Sequence, residues 1–254
     1  MNTTTNTNAG TAARAIAATV ALEVRNLGVA YGAINAVSNL NLRVRAGEAV
    51  AVIGSNGAGK TSFLKAVMGL VPAVPSSSIE CFGVSLHGMP AYRRSKLGIG
   101  YVPEGRELFG GLTVMEELMI GARLLPSDEQ SWAIDRMFTM FPRLGERRRQ
   151  VAGTLSGGEQ QMVAIARTVI GKPRLLLLDE PSLGLAPVIQ DTVYETLAQL
   201  RAGGLPILLV EQNAYRALKL CELGYVIELG HVTRSGESAE LLADPSIQSA
   251  YLGT

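Results

Sequence analysis

The chain has 254 residues, which is enough for one large α/β domain or two small ones. Hydrophobic residues make up 47% and charged residues 18%, the balance of a folded globular protein rather than a disordered one. The formal net charge is +1, so the chain lacks the basic field that recruits nucleic acid, and we expect no nucleic-acid partner.

Any membrane role is expected to come through another protein. No apolar run approaches the ~20 residues that cross a bilayer, and Leu175–Leu178 is only of strand length. Residues 1–19 are rich in Thr, Asn and Ala and lack the basic start and apolar core of a secretory signal, so they predict a flexible tail. Cys81 and Cys221 form no CxxC pair and are predicted to be buried, reduced thiols.

The first third of the chain predicts three strands and a helix. Val20–Arg25 and Leu40–Val44 alternate apolar and polar residues, which is typical of half-buried antiparallel strands. Ala49–Ile53 is a continuous apolar run and predicts a strand buried on both faces. After a Gly-rich turn, Lys60–Met68 is predicted as a helix that Gly69 closes.

The middle third, from about residue 105 to 170, is predicted to be a helical insert. Thr113 with Glu116 three residues later is a capping box that starts a helix. Apolar residues recur at helical spacing after it and predict core packing rather than a cofactor site. They are Met115, Leu118, Met119, Met137, Met140 and Phe141.

Strand and helix signals alternate in the last third. The predicted strands and helices are Arg174–Asp179, Val188–Arg201, Pro206–Val210 and Ala214–Leu220, followed by a hairpin of Tyr225–Glu228 and His231–Ser235. Such alternation implies a mainly parallel sheet with helices on both faces. The predicted fold class is therefore α/β, with an antiparallel β part and the helical insert.

One turn has the sequence of a phosphate cradle. Its residues fit the pattern G-x-x-x-x-G-K-[ST], in which glycines let backbone N–H groups surround a phosphate at a helix start. Lys60 is predicted to reach the β- and γ-phosphates, and the Thr61 hydroxyl to bind Mg²⁺. The predicted nucleotide-binding residues here are Gly54, Ser55, Asn56, Gly57, Ala58, Gly59, Lys60, Thr61 and Ser62.

Two acids end the predicted strand Arg174–Asp179. Asp179 is predicted to complete the Mg²⁺ site, and Glu180 to accept a proton from the attacking water. Adjacent carboxylates repel each other unless a cation lies between them, which favours the metal interpretation.

A second anion site follows from LSGGEQQ, residues 155–161, where small residues and a hydroxyl start the predicted helix Glu159–Ile170. One chain has no obvious need for two triphosphate sites, so this segment is predicted to cap the nucleotide of another copy. LSGGEQQ with the cradle resembles the signature of the ABC ATPase family, and the resemblance covers Val20–Thr254.

The resemblance implies an ATP- and Mg²⁺-dependent ATPase whose fold is a P-loop NTPase core. It also implies that the signature of one subunit closes over ATP in the cradle of the other. The signature residues so implicated are Ser156, Gly157, Gly158 and Glu159. By the same resemblance Tyr31 stacks on adenine, the alternative being packing within the antiparallel strands.

Longer segments are similar to the smaller ATPase subunit of branched-chain amino-acid importers. They are VPEGRELF (102–109), DEPSLGLAP (179–187), VEQN (210–213), GYVIELGHV (224–232) and SAYLG (249–253). This similarity implies membrane permeases and a second ATPase subunit as partners, and an extracellular or periplasmic binding protein as an indirect one. It places the chain at the cytoplasmic face of the membrane.

Two positions depart from the general family pattern. Glu104 stands where a glutamine usually meets Mg²⁺ and water, and its carboxylate is predicted to bind Mg²⁺ as well. Gln212 replaces the histidine that contacts the γ-phosphate. An amide hydrogen-bonds but carries no proton at neutral pH, so we expect Glu180 to set the rate. His87 and His231 are expected in surface turns, without a catalytic role.

The cluster Arg143, Arg147, Arg148 and Arg149 is predicted to be a solvated basic face, the alternative being contact with the membrane subunit or headgroups. Three other functions stay open: import of urea or short amides, export of lipid or lipopolysaccharide, and a soluble role in translation or DNA repair. The last is disfavoured because one cradle, one signature and no long insert are present.

Overall fold

A computed structural model describes residues 20–252, so the predicted tail of residues 1–19 lies outside the described residues. The chain opens with a four-stranded antiparallel sheet. Its strands, in spatial order, are β2 (Ile34–Arg45), β1 (Val20–Tyr31), β4 (Ser78–Cys81) and β5 (Val84–Ser85). Both predicted strands of this sheet are therefore right in kind but about twice as long as the alternating pattern suggested.

A six-stranded sheet forms the centre of the molecule. Its strands, in spatial order, are β10 (His231–Glu237), β9 (Leu223–Glu228), β3 (Ala49–Ile53), β8 (Ile207–Glu211), β7 (Leu175–Asp179) and β6 (Ile99–Val102). Every neighbouring pair is parallel except β9 and β10, which form the predicted hairpin. The carboxyl ends of β3, β8 and β7 therefore meet at one edge of the sheet, where ligands of open α/β sheets bind.

The helices connect these strands. They are α1 (Lys60–Met68), α2 (Ala91–Lys96), α3 (Val114–Ala122), α4 (Ser127–Met140), α5 (Pro142–Glu146), α6 (Gly157–Val169), α7 (Pro187–Ala202), α8 (Ala214–Leu220), α9 (Ser238–Ala243) and α10 (Pro245–Ile247). A 3-10 turn at Ala152–Thr154 precedes α6, and a π turn at Gln248–Leu252 follows α10. Helices α3 to α6 occupy the segment predicted to be a helical insert.

The central strands divide the core into two layers because successive side chains point to opposite faces. Ala49, Ala51 and Ile53 join the layer formed with the helices α3, α4, α6, α7 and α8. Val50 and Val52 join the other layer, which contains Phe63 of α1 and the inner face of the antiparallel sheet. Helices therefore lie on both faces, as predicted, and on the second face α1 packs together with the antiparallel sheet.

The predicted core residues mostly lie in the core. Leu118, Met137 and Phe141 are buried, and Met115 and Met140 pack against that layer. The prediction was wrong for Met119, whose side chain is 51% exposed on α3. The buried face of α3 is instead formed by Val114, Glu117, Leu118, Gly121 and Ala122.

The predictions for the cysteines, the arginine cluster and the histidines can be compared with the structure in the same way. Cys81 and Cys221 are buried and unpaired with each other, as predicted. Arg143, Arg148 and Arg149 are exposed, which fits both a solvated basic face and the alternative contact surface, while Nε of Arg147 lies 2.7 Å from Oε1 of Glu159 in an ion pair. His87 is exposed in a turn, whereas His231 is exposed but begins β10. Across residues 20–252 no helix is both long and apolar enough to span a bilayer.

Candidate active site

The predicted cradle connects β3 to α1 at the carboxyl edge of the central sheet. Gly59 caps α1 with φ of 104°, a left-handed conformation that other residues adopt only at a cost. A Cβ at Gly59 would also lie 2.3 Å from the carbonyl oxygen of Ala36 on β2. Close packing of the cradle against β2 therefore requires glycine here, and it leaves the start of α1 open to an anion.

Lys60, the first residue of α1, turns its ammonium back into the cradle. Its Nζ donates to the carbonyl oxygens of Gly54 at 2.8 Å and Ser55 at 3.0 Å. The same Nζ lies 3.0 Å from Oε1 of Glu180, and both side chains are almost wholly buried. The structure thus joins the predicted phosphate-binding lysine to the predicted proton acceptor.

Asp179 ends β7 beside the first turn of α1. Its Oδ1 accepts a hydrogen bond from the Thr61 hydroxyl at 3.1 Å, and its Oδ2 accepts one from the Tyr101 hydroxyl at 3.2 Å. Burial is the main cause that raises the pKa of Asp179 to about 6; the nearby carboxylates of Glu104 and Glu180 act in the same direction, and the two hydrogen bonds act against it. A bound cation would relieve this cost of holding a buried negative charge.

A cleft of about 320 Å³ lies over the cradle. It is lined by Ala36, Asn56, Gly57, Gly59, Lys60, Thr61, Ser62, Glu104, Glu180 and Leu183. Gly54, Ser55 and Ala58, the other predicted cradle residues, are not part of this lining. The structure therefore brings Glu104, about 45 residues from the cradle along the chain, to the same cleft as Lys60 and Glu180.

Glu180 has an unusual setting within this cleft. It adopts a left-handed backbone conformation with φ of 46°, directly after β7. One carboxylate oxygen pairs with Lys60, while the buried Oε2 has no hydrogen-bond partner in the described part of the chain. A buried oxygen without a partner costs free energy, and such groups concentrate at functional sites.

The segment Ser156–Glu159 starts α6 and is absent from the lining of this cleft. The Ser156 hydroxyl accepts a hydrogen bond from the Glu159 N–H, while the Glu159 carboxylate accepts one from the Ser156 N–H. This reciprocal capping box starts the helix at Gly157, two residues before its predicted start. The two predicted anion sites are thus separate within one chain.

The sequence model of the ABC transporter family matches residues 37–183, more than half of the chain. The chain belongs to the ABC transporter family. This confirms the predicted family, and the six-stranded sheet with its antiparallel companion confirms the predicted fold class.

Several ABC transporter ATPases of named function are similar to the chain. The high-affinity branched-chain amino acid transport ATP-binding protein BraG of Pseudomonas aeruginosa is 46% identical over 88% of the chain and 95% of BraG. The probable branched-chain amino acid transport ATP-binding protein LivF of Archaeoglobus fulgidus is 34% identical over 91% of the chain and 98% of LivF. The lipopolysaccharide export system ATP-binding protein LptB of Escherichia coli K12 is 32% identical over 91% of the chain and 97% of LptB.

The fold is also shared with solved ABC cassettes. One of them, a dimeric cassette in a post-hydrolysis state bound to ADP and phosphate, has a TM-score of 0.77 and 22% identity. The match covers 85% of this chain and 98% of that cassette.

Oxygen ligands available to Mg²⁺ converge at the cleft over the cradle. Thr61 and Asp179 are in contact, and Glu104 lines the cleft with Thr61. Hydroxyl and carboxylate oxygens suit Mg²⁺, which protein sites bind through one or two carboxylates while phosphates complete the shell. Between residues 20 and 252 no group of three or more His, Cys, Asp or Glu is arranged to hold a metal alone. The residues present therefore fit Mg²⁺ bound together with a nucleotide.

Two predicted residues lie at the site's border. Tyr31 ends β1 and is 47% exposed, so its ring is available for stacking, but it does not line the cleft. Gln212 is exposed directly after β8, the strand between β3 and β7. Its neighbour Glu211 pairs in register with Ile53, which places Gln212 at the cradle's edge of the sheet. The roles of Tyr31 and Gln212 remain predictions.

Two further polar residues at this edge, Tyr101 and Glu211, were missed from the sequence. The Tyr101 hydroxyl donates a hydrogen bond to Asp179, and buried Gln161, the last residue of the predicted signature segment, lines a neighbouring cleft with Glu104 and Glu180. Glu211 is buried, accepts a hydrogen bond from the Ser182 N–H at 3.1 Å, and has its pKa raised by burial. Glu211 ends an apolar strand much as Asp179 does, which is the one sequence signal that could have found it.

Proposed function

We propose that the chain binds and hydrolyses ATP as the energising subunit of an importer, with branched-chain amino acids as the imported substrates. The observation that carries the ATPase chemistry is the Lys60–Glu180 pair, which joins the phosphate cradle to a carboxylate whose other buried oxygen has no hydrogen-bond partner among residues 20–252. The 46% identity to BraG, a branched-chain amino acid transport protein, supports the substrate class.

The chain's side chains divide the work of hydrolysis. Glu180 accepts the proton of the attacking water at Oε2, while its Oε1 is oriented by Lys60. Lys60 and the backbone N–H groups of the cradle hold the phosphates. Gln212 donates or accepts a hydrogen bond at the γ-phosphate without carrying a proton, so Glu180 sets the rate.

Thr61, Asp179 and Glu104 are the residues that would hold Mg²⁺. When bound with ATP, Mg²⁺ supplies positive charge that neutralises the phosphate oxygens. Tyr101 and Thr61 orient the Asp179 carboxylate through their hydroxyls, so its direction is set before any ligand arrives.

The complete site is proposed to need two ATPase subunits. Ser156, Gly157, Gly158 and Glu159 form an anion-binding helix start away from the chain's own cleft, so they act on a nucleotide in a second subunit. A related cassette solved as a dimer with ADP and phosphate supports this arrangement. The second subunit is a copy of this chain or a similar ATPase.

We place the complex at the cytoplasmic face of the membrane, where membrane permeases bind the ATPase pair. The loop from Glu104 to Phe109 starts in the nucleotide cleft and ends with an exposed Phe109 ring, so it is the proposed contact with a permease. A binding protein outside the membrane would select the substrate. Lipopolysaccharide export is the second candidate, favoured by the 32% identity to LptB.

The hydrolysis is tested by Glu180→Gln, which keeps the size of the side chain and removes its basicity. We expect phosphate release to fall about 10²- to 10⁴-fold while the Kd for ATP changes little. Glu195→Gln, an exposed acid on α7, is the matched control and should hydrolyse at the wild-type rate. Full hydrolysis by Glu180→Gln with normal ATP binding would show that another group accepts the proton.

The transport role is tested by mild detergent extraction from the native membrane and identification of co-purifying proteins. Two multi-span permeases with a second ABC ATPase, and loss of leucine uptake on deletion of the chain, are expected. Co-purification with lipopolysaccharide export proteins would favour the second candidate. Ribosomal or repair proteins alone would leave the ATPase chemistry in place and remove transport.

A further inference from the structure

The loop 103–109 between β6 and α3 has a strained backbone. Three consecutive residues are left-handed, with φ of 83° at Gly105, 71° at Arg106 and 46° at Glu107. Two of them carry side chains, which disfavour this conformation. Such a backbone persists only when its surroundings hold it in place.

Two side chains from neighbouring helices hold it. Glu117 of α3 is fully buried, and one of its oxygens accepts a hydrogen bond from the Phe109 N–H. Its other oxygen lies 2.8 Å from Nη1 of Arg167 on α6. Nη2 of Arg167 donates to the carbonyl oxygens of Arg106 at 3.3 Å and Glu107 at 3.0 Å.

The contacts of Glu117 and Arg167 hold the loop and are not needed to join helices α3 and α6. Helices α3 and α6 already meet closely, since a Cβ at Gly121 would lie 2.0 Å from the Arg167 carbonyl oxygen. A fully buried carboxylate is costly unless it is paired, so an ion pair is not needed merely to join helices in contact. Among the described residues, the other side-chain hydrogen bonds of this pair go to the backbone of residues 106, 107 and 109.

The loop begins at the nucleotide cleft. Glu104, which lines the cleft with Lys60 and Glu180, lies only two residues before the first carbonyl that Arg167 holds. Because so short a tether cannot move independently, the placement of the Glu104 carboxylate depends on the backbone of residues 105–107.

We infer that Glu117 and Arg167 are positioning residues for ATP hydrolysis, which act by holding the loop 103–109 so that Glu104 stays in the nucleotide cleft. This inference rests on the proposed ATPase function. It goes beyond that proposal by assigning a role in hydrolysis to two residues outside the cleft, which act through the loop.

The test is a double-mutant cycle on the full chain. Arg167→Lys keeps a cation beside Glu117 but cannot also reach the two carbonyls, so we expect kcat to fall about tenfold while KM for ATP stays within about twofold. In a Glu104→Ala background the same change should alter kcat less than about twofold, because the side chain that it positions is gone. Glu117→Gln should behave like Arg167→Lys.

Hydrogen exchange gives an independent readout of the loop. Arg167→Lys should speed exchange of the amides of Arg106 to Phe109 and leave those of the cradle unchanged. Glu129→Gln, which breaks the exposed ion pair between Glu129 of α4 and Lys172 after α6, is the matched control and should change neither kcat nor exchange in the loop.

Two results would overturn the inference: an equal loss of kcat in both backgrounds, which indicates general structural damage, or unchanged exchange in the loop. Absence of hydrolysis by the wild-type chain is a different result and would contradict the proposed function instead.

Discussion

Buried carboxylates are the main charged groups at the edge of the sheet beside the nucleotide cleft. Asp179, Glu180 and Glu211 follow or end two adjacent strands and are each nearly inaccessible to solvent. Lys60 pairs with Glu180, while Asp179 is held by two hydroxyls and Glu211 by a backbone N–H. Hydroxyls and an N–H offset the loss of water less well than a cation does, so the site holds negative charge at a cost to stability.

Replacing Asp179 should expose that cost. Its pKa is raised by burial from an ordinary 3.8 to about 6, so the folded state holds the proton more tightly than the unfolded state. Stability therefore falls as pH rises from about 4 to 6 and stays lower at neutral pH, by about 3 kcal/mol. Asp179→Asn should stabilise the metal-free chain at pH 7.5 by up to that amount, and little at pH 4, while abolishing hydrolysis.

Denaturant unfolding in EDTA at pH 4 and pH 7.5 measures this difference. Glu195→Gln, at an exposed acid of α7 that forms no ion pair within the described part of the chain, serves as the control and should change the free energy of unfolding by less than about 0.5 kcal/mol at both pH values. An Asp179→Asn variant that is less stable than wild type at pH 7.5 would contradict the prediction.

At the scale of elements, regular patterns made the fold predictable. Ala49–Ile53 and Lys60–Met68 are observed with their predicted ends, because an apolar run and a terminal glycine define them locally. The short strand β6 and helix α2 were missed, since β6 has only four residues, among them Gly100. The types of most helices and strands could therefore be predicted from the sequence, but their lengths were predicted less well.

Site residues that are adjacent in sequence could be predicted from the sequence, and those that only the fold brings together could not. The cradle and the Asp179–Glu180 pair were found as motifs, but Tyr101 reaches Asp179 only through the pairing of β6 with β7. On α3 the apolar stripe wrongly selected Met119, because the helix buries Glu117 and Gly121 instead. Glu117 and Gly121 are buried because each contacts Arg167 of α6, and no local sequence pattern on α3 reveals that contact.

The close approach of α3 to α6 gives a prediction at this scale. Gly121→Ala would place a Cβ 2.0 Å from the Arg167 carbonyl oxygen, so the helices must separate. We expect a loss of about 1–3 kcal/mol in the free energy of unfolding. Gly111→Ala is the matched control, because a Cβ there meets nothing within 4 Å, and it should leave stability unchanged or slightly raised. Equal stability of the two variants would mean that the helices tolerate the separation.

At the scale of the whole molecule, the two anion sites of one chain do not meet. The cradle opens at the carboxyl edge of the central sheet, while Ser156 caps α6 outside the cleft over the cradle. A dimer in which each signature closes the other's cradle would use both sites of both chains, which a two-fold axis provides automatically. The separation in the monomer is thus the structural reason to expect shared sites.

Shared sites predict that two inactive variants restore each other. Lys60→Ala removes the cradle's cation but keeps a normal signature, and Ser156→Arg blocks the signature but keeps a normal cradle. In an equal mixture about half of the dimers are mixed, and each holds one intact site of two, so phosphate release should recover to about a quarter of the wild-type rate. A chain carrying both substitutions, at the same total concentration, should stay inactive. If the mixture were no more active than its two components, copies of this chain would not share sites with each other, and either a similar ATPase would supply the second subunit or each site would be complete within one chain.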